Sequence, residues 1–134
     1  VVGIAASAFK DCTTLESVLF WAEIKYIDDY AFAGCTALTN ISIPSETMSI
    51  GAHAFDGCTN LSDLIIWGSP NIGEYAFTGC TSITSVSIDS DTKEIGAHAF
   101  DGCSNLESVI IWGDDTLVGK DAFANCPKLK DKPI

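Results

Sequence analysis

The sequence predicts a solenoid, a stack of six copies of one short unit, and three observations carry that prediction. Phenylalanine recurs at Phe9, Phe32, Phe55, Phe77, Phe100 and Phe123, in steps of 22 or 23 residues. Cysteine follows each of them by three, at Cys12, Cys35, Cys58, Cys80, Cys103 and Cys126. Aliphatic residues flank both, three after each cysteine (Leu15, Leu38, Leu61, Ile83, Leu106, Leu129) and five before each phenylalanine (Ile4, Ile27, Ile50, Ile72, Ile95, Val118). A unit this small cannot bury its own apolar side chains. Stacked in register, the copies turn each position into a column, and the columns form one elongated core.

Each part of the unit has its own expected structure. Leu64-Ile65-Ile66-Trp67 and its equivalents suit a short strand, with Val18/Phe20, Ile41/Ile43, Leu64/Ile66, Val86/Ile88 and Val109/Ile111 at the inward parity. The I-G-x-x-A-F-x-G-C stretch suits an irregular or single-turn helical return. One parallel strand per unit, about 4.8 Å from the next, gives a stack roughly 30 Å long.

A second period overlies the first. Ile50 to Cys103 contains the nonamer I-G-A-H-A-F-D-G-C twice, at Ile50–Cys58 and Ile95–Cys103. Odd units end their strand in Trp21, Trp67 or Trp112, whereas even units end in Pro44 or Asp89. This pattern reads as duplication of a two-unit block.

The repeat I-G-x-x-A-F-x-G-C-T-x-L-x-x-V-x-I resembles the BspA-like (Treponema pallidum-type) leucine-rich repeat family, over nearly the whole chain and in six copies. The resemblance implies a leucine-rich repeat solenoid with parallel strands on one face and irregular or short helical returns on the other. It also implies a cell-surface or secreted binding and adhesion module. Its partner would be a protein or glycan, such as host matrix or another cell surface.

Composition narrows the alternatives. The 134 residues, 47% of them hydrophobic, suit one domain over residues 1–134. A start at Val1 without methionine suits a processed chain or an excerpt of a longer protein. Eighteen acids against seven lysines, with no arginine, give a formal charge of −11 and argue against nucleic acid and anionic lipid as partners. No apolar run approaches the roughly 20 residues that span a bilayer as a helix.

The chemistry-bearing residues point to structure rather than catalysis. All six cysteines share one column, where side chains run parallel, so buried thiols are expected instead of disulfides or a zinc site. His53 and His98 lie two units apart, about 10 Å, too far for one metal ion or one shared proton. Their counterparts Ser7, Tyr30, Tyr75 and Asp121 mark a tolerant surface position. Asp89-Ser90-Asp91, Asp114-Asp115 and Glu46 match no calcium loop and read as a solvated acidic rim. Asn40-Ile41-Ser42 and Asn60-Leu61-Ser62 fit the N-glycosylation rule. No nucleophile–base pair or cofactor motif is present, so no enzyme, cofactor or metal is expected. Lys120, Lys128, Lys130, Lys132 and Pro133 suit a blunted edge at the last unit, while the first unit has no polar cap.

The strongest functional signal lies at the outward strand positions. Leu19/Trp21, Ile65/Trp67 and Ile110/Trp112 alternate with Ser42/Pro44 and Ser87/Asp89. Repeated Trp/aliphatic pairs on one face suit a contact surface. The competing reading lays each Trp over the neighbouring Ser as part of the fold. A self-associating unit of a surface layer or filament, joined end to end, is the second functional expectation, and an intracellular scaffold the third.

Overall fold

A computed structural model describes residues 3–20 and 23–131. Ten short strands follow in order: β1 Gly3–Ile4, β2 Tyr26–Ile27, β3 Asn40–Ile43, β4 Ser49–Ile50, β5 Asp63–Ile66, β6 Asn71–Ile72, β7 Ser85–Ile88, β8 Glu94–Ile95, β9 Ser108–Ile111 and β10 Leu117–Val118. All pairing is parallel, and the described residues contain no helix. The stack and the expected columns are present. Phe32, Phe55, Phe77 and Phe100 are fully buried, with successive ring centroids from Phe9 to Phe123 5.1–5.3 Å apart and nearly coplanar. That spacing is an offset stack, in which aromatic burial and ring contact reinforce each other.

Two features differ from the sequence expectation. The first is an additional two-residue strand in every unit. The aliphatic residue five before each phenylalanine sits in a two-residue strand, and these six strands form one unbroken sheet, β1-β2-β4-β6-β8-β10. Ile27 pairs with Ile50 and Ile50 with Ile72, keeping the isoleucines in register. The glycine after the isoleucine has a steric origin. A Cβ on Gly73 would lie 2.7 Å from backbone atoms of Gly51 and Ala52 in the preceding unit.

The return itself is irregular, a run of turns rather than a helical turn. Amides alternate along it. Ala31, Ala33 and Cys35 donate to carbonyls three residues back, while Tyr30, Phe32 and Gly34 donate to Ala52, Ala54 and Asp56 of the next unit. Tyr30 and Gly34 both take positive φ, and so do their equivalents His53/Gly57, Tyr75/Gly79 and His98/Gly102. The backbone polar groups are thereby satisfied without regular secondary structure.

The second difference concerns the expected strand per unit. Val18/Phe20, Ile41/Ile43, Leu64/Ile66, Val86/Ile88 and Val109/Ile111 do point inward. Their strands do not form one sheet, however: β3 pairs with β5, β7 with β9, and β5 is not hydrogen-bonded to β7. Between the first and second units, among the described residues, a single bridge forms, Ser17 to Asn40. Units two and three therefore make one block, and units four and five another.

The turns after the strands supply the physical reason. A Cβ on Gly68 would lie 2.2 Å from the Ser45 carbonyl oxygen, and one on Gly113 2.5 Å from that of Ser90. Each odd-unit turn thus lies directly on the even-unit turn before it. Trp67 donates its amide to Ile43 O at 3.1 Å and Trp112 to Ile88 O at 3.0 Å, extending both pairs. The break also falls at the one 22-residue step, where the Trp67–Asn71 turn is a residue shorter than its counterparts.

Candidate functional site

The face built from β3, β5, β7 and β9 carries the outward residues. Leu19 is 71% exposed, Trp67 66% and Trp112 65%, with Ile65 and Ile110 about half exposed. Trp21, Lys132 and Pro133 lie outside the described residues. Alternation explains the exposure, since Leu64, Ile66, Val109 and Ile111 turn inward and leave Ile65, Trp67, Ile110 and Trp112 outside.

The two tryptophans are held differently. Trp112 Nε1 donates to Ser87 Oγ at 3.0 Å, so this indole does lie across the serine of the preceding unit. Trp67 makes no such bond. Both remain mostly in solvent.

The break between blocks opens a cleft in this face. It has a volume of about 190 Å³ and is lined by Leu64, Ile65 and Ile66 of β5 and by Ser85, Val86 and Ser87 of β7. A carboxylate stands at each end. Asp63, exposed, begins β5; Asp89 follows β7 and accepts from Ser69 Oγ at 2.7 Å across the break. Asp91 N–H also donates to Asp89, at 3.1 Å. The Ser69 and Asp91 bonds hold the Asp89 carboxyl below the usual carboxylate range. Sequence reasoning missed this cleft, because it depends on which neighbouring strands pair.

The cysteine column is free of disulfides, and five of its six thiols are buried. The thiols also do more than fill space. Cys35, Cys58, Cys80, Cys103 and Cys126 donate to the carbonyls of Phe9, Phe32, Phe55, Phe77 and Phe100 at 3.1–3.3 Å, tying each unit to the one before. Burial, reinforced by neighbouring thiols, pushes Cys58 and Cys103 up to about 12 and Cys80 well above its ordinary value. A thiol so suppressed is a poor nucleophile.

The histidines belong to a further column. Tyr30, His53, Tyr75 and His98 stack with centroids 4.7–4.8 Å apart, on the return side and away from the strand face. His53 Nδ1 lies 2.8 Å from Asp56 Oδ2, and His98 Nδ1 2.8 Å from Asp101 Oδ2. Burial opposes ionisation of Asp101, yet the bonds from Asn125 and His98 outweigh it and hold the carboxyl below its usual range. Nothing in the alternation of Tyr and His reveals a stack until the units are placed in register. Asn40 and Asn60, the two sequon asparagines, are both exposed, and Asn60 Nδ2 donates to Thr36 O at 2.7 Å.

Comparison with known proteins agrees with the repeat and the fold. The family model described as BspA type Leucine rich repeat region matches residues 2–130 in six copies. A leucine-rich repeat protein from Bacteroides ovatus superposes with a TM-score of 0.83 at 29% identity, over 93% of this chain and 32% of that one. The T. pallidum leucine-rich repeat protein superposes with a TM-score of 0.76 at 27% identity, over 98% of this chain and 72% of that one. A leucine-rich cell surface protein from Faecalibacterium prausnitzii shares the fold, with a TM-score of 0.58 at 23% identity over 98% of this chain and 50% of that one. This chain spans about a third of the Bacteroides protein and half of the Faecalibacterium protein. No curated protein matches the chain. The six matched copies cover almost all of the sequence, and the chain belongs to the BspA-type leucine-rich repeat family.

Proposed function

We propose that this chain is a non-enzymatic binding and adhesion module, displayed at the cell surface or secreted as part of a longer protein, that engages its partner through the strand face. The observation that carries this reading is the set Leu19, Ile65, Trp67, Ile110 and Trp112, large apolar side chains held outward on one face of a rigid stack. Large apolar side chains repeated outward along one face mark a contact surface. Tryptophan supplies rigid area and is over-represented among residues that dominate binding. A solved structure that shares the fold is that of a leucine-rich cell surface protein, which supports the location. No helix among the described residues is long and apolar enough to cross a membrane.

The test is adhesion of beads coated with the chain to immobilised matrix proteins and to cultured cells. Wild-type beads should attach, and Trp67→Ala should weaken attachment by about 2 kcal/mol or more, the usual scale for a central aromatic contact. Equal attachment by wild type, Trp67→Ala and Trp112→Ala would remove the strand face as the site.

A second reading is end-to-end self-association of the stack, which its one-dimensional architecture permits. Mass measured in solution at two concentrations distinguishes it. A mass that rises with concentration supports association, and a constant monomer mass contradicts it.

A further inference from the structure

The cleft between β5 and β7 is a concave feature of the candidate face, and its chemistry is one-sided. Its walls are apolar, from Leu64, Ile65, Ile66 and Val86, with the hydroxyls of Ser85 and Ser87 at the β7 lip. Its volume, about 190 Å³, admits one long side chain rather than a run of them. Both ends are anionic, with Asp63 at the start of β5 and Asp89 beyond β7, and Asp91 close behind Asp89. Residues 62–69 and 84–91, which form the cleft and both its ends, contain no lysine. Trp67 closes the β5 strand at the Asp89 end with its indole largely in solvent.

We propose that this cleft anchors an arginine side chain of an extended, cationic polypeptide laid across the strand face, a reading that rests on the binding function proposed above. The aliphatic stem of arginine matches the apolar walls, as long basic side chains commonly pack their stems on apolar surface while the head stays polar. The guanidinium carries five donors in a fixed fork, suited to a carboxylate and to serine oxygens. A tryptophan face attracts the same group through its ring quadrupole. A carboxylate-bearing or phosphate-bearing partner meets only like charge here, and a neutral glycan leaves Asp63 and Asp89 without a counter-ion.

The test uses a fluorescently labelled nonapeptide of alternating valine and threonine with a central arginine and a lysine at each end. A second peptide replaces the arginine by citrulline, which has the same shape and no charge. Fluorescence anisotropy should show saturable binding of the arginine peptide to the whole chain. Binding should weaken about tenfold for the citrulline peptide, consistent with loss of a charged hydrogen bond.

Two variants test the cleft from the protein side, each checked for unchanged circular dichroism. Ser85→Phe fills the cleft, and Asp63→Asn with Asp89→Asn removes the charges without altering shape. Each should weaken the arginine peptide by about tenfold; the double Asn variant should leave the citrulline peptide nearly unchanged, whereas Ser85→Phe, which also excludes the aliphatic stem, should weaken it too. If Trp67→Ala weakens binding while neither cleft variant nor citrulline does, the face binds but the cleft does not anchor, and the inference falls alone. If the arginine peptide shows no saturable binding, the choice of occupant is wrong, and the adhesion of Trp67→Ala beads then decides the wider reading by itself.

Discussion

The two sides of the solenoid repeat with different periods. On the return side every unit treats its neighbour alike: the phenylalanine rings stack at 5.1–5.3 Å, each buried thiol bonds the preceding unit, and six two-residue strands form one sheet. On the strand side the period is two units, with β3–β5 and β7–β9 paired and a cleft between them. The difference teaches where the architecture is specified. A solenoid needs only one continuous side to hold its copies in register, since each copy contacts only its neighbours. The other side can then open, and here it opens where the apolar and acidic residues of the candidate site gather.

Substitutions on the two sides should separate accordingly. The largest effect is expected from Phe77→Ala, which removes a fully buried ring from the middle of the continuous column. Unfolding in urea should show a loss of about 3–5 kcal/mol, the scale of a large-to-small core change. Next comes Gly73→Ala, whose Cβ would meet the preceding unit's backbone at 2.7 Å. Overpacking of this kind costs about 1–3 kcal/mol by the same measurement.

Alkaline pH sharpens the contrast further, because the suppressed thiols all lie on the return side. An unfolded cysteine ionises near its ordinary 9.0, whereas folded Cys58 and Cys103 stay neutral until about 12. Their folded values are raised, so the stability they contribute is complete below pH 9 and is lost as pH rises from there toward 12. Urea midpoints should therefore fall between pH 8 and pH 11, and less so in a Cys58→Ala, Cys103→Ala double variant. At neutral pH, half-buried Cys12 should react with iodoacetamide before the other five thiols, as peptide mass spectrometry would show.

The smallest effect on stability belongs to the strand face. Trp67→Ala removes a side chain that is 66% exposed and should shift the urea midpoint by no more than about 0.5 kcal/mol. A large loss of stability there would mean that Trp67 holds the fold together instead of serving contact.

Much of this was legible in the sequence. The columns follow from the spacing of Phe, Cys and Leu, and the exposure of Ile65, Trp67, Ile110 and Trp112 follows from strand alternation. The two-residue strands were not legible, since Tyr26–Ile27 or Asn71–Ile72 is too short to show a period. The block structure was visible as a 45-residue repeat but not as a broken sheet. Its cause, the approach of Gly68 to Ser45 and of Gly113 to Ser90, is a contact between turns in different units. The Tyr30–His53–Tyr75–His98 stack likewise exists only once the units are superposed.

The claim that the strand side is broken while the return side is continuous is tested most directly by amide hydrogen exchange, resolved by residue. Trp67 and Trp112 donate to Ile43 and Ile88 within their blocks, whereas the equivalent amide at the break, Asp89, has no carbonyl partner in β5. Slow exchange at Trp67 and Trp112 with fast exchange at Asp89, and protection of Gly51, Gly73, Gly96 and Gly119 throughout the return side, is the expected result. Protection of Asp89 equal to that of Trp67 and Trp112 would show a continuous sheet and contradict the account.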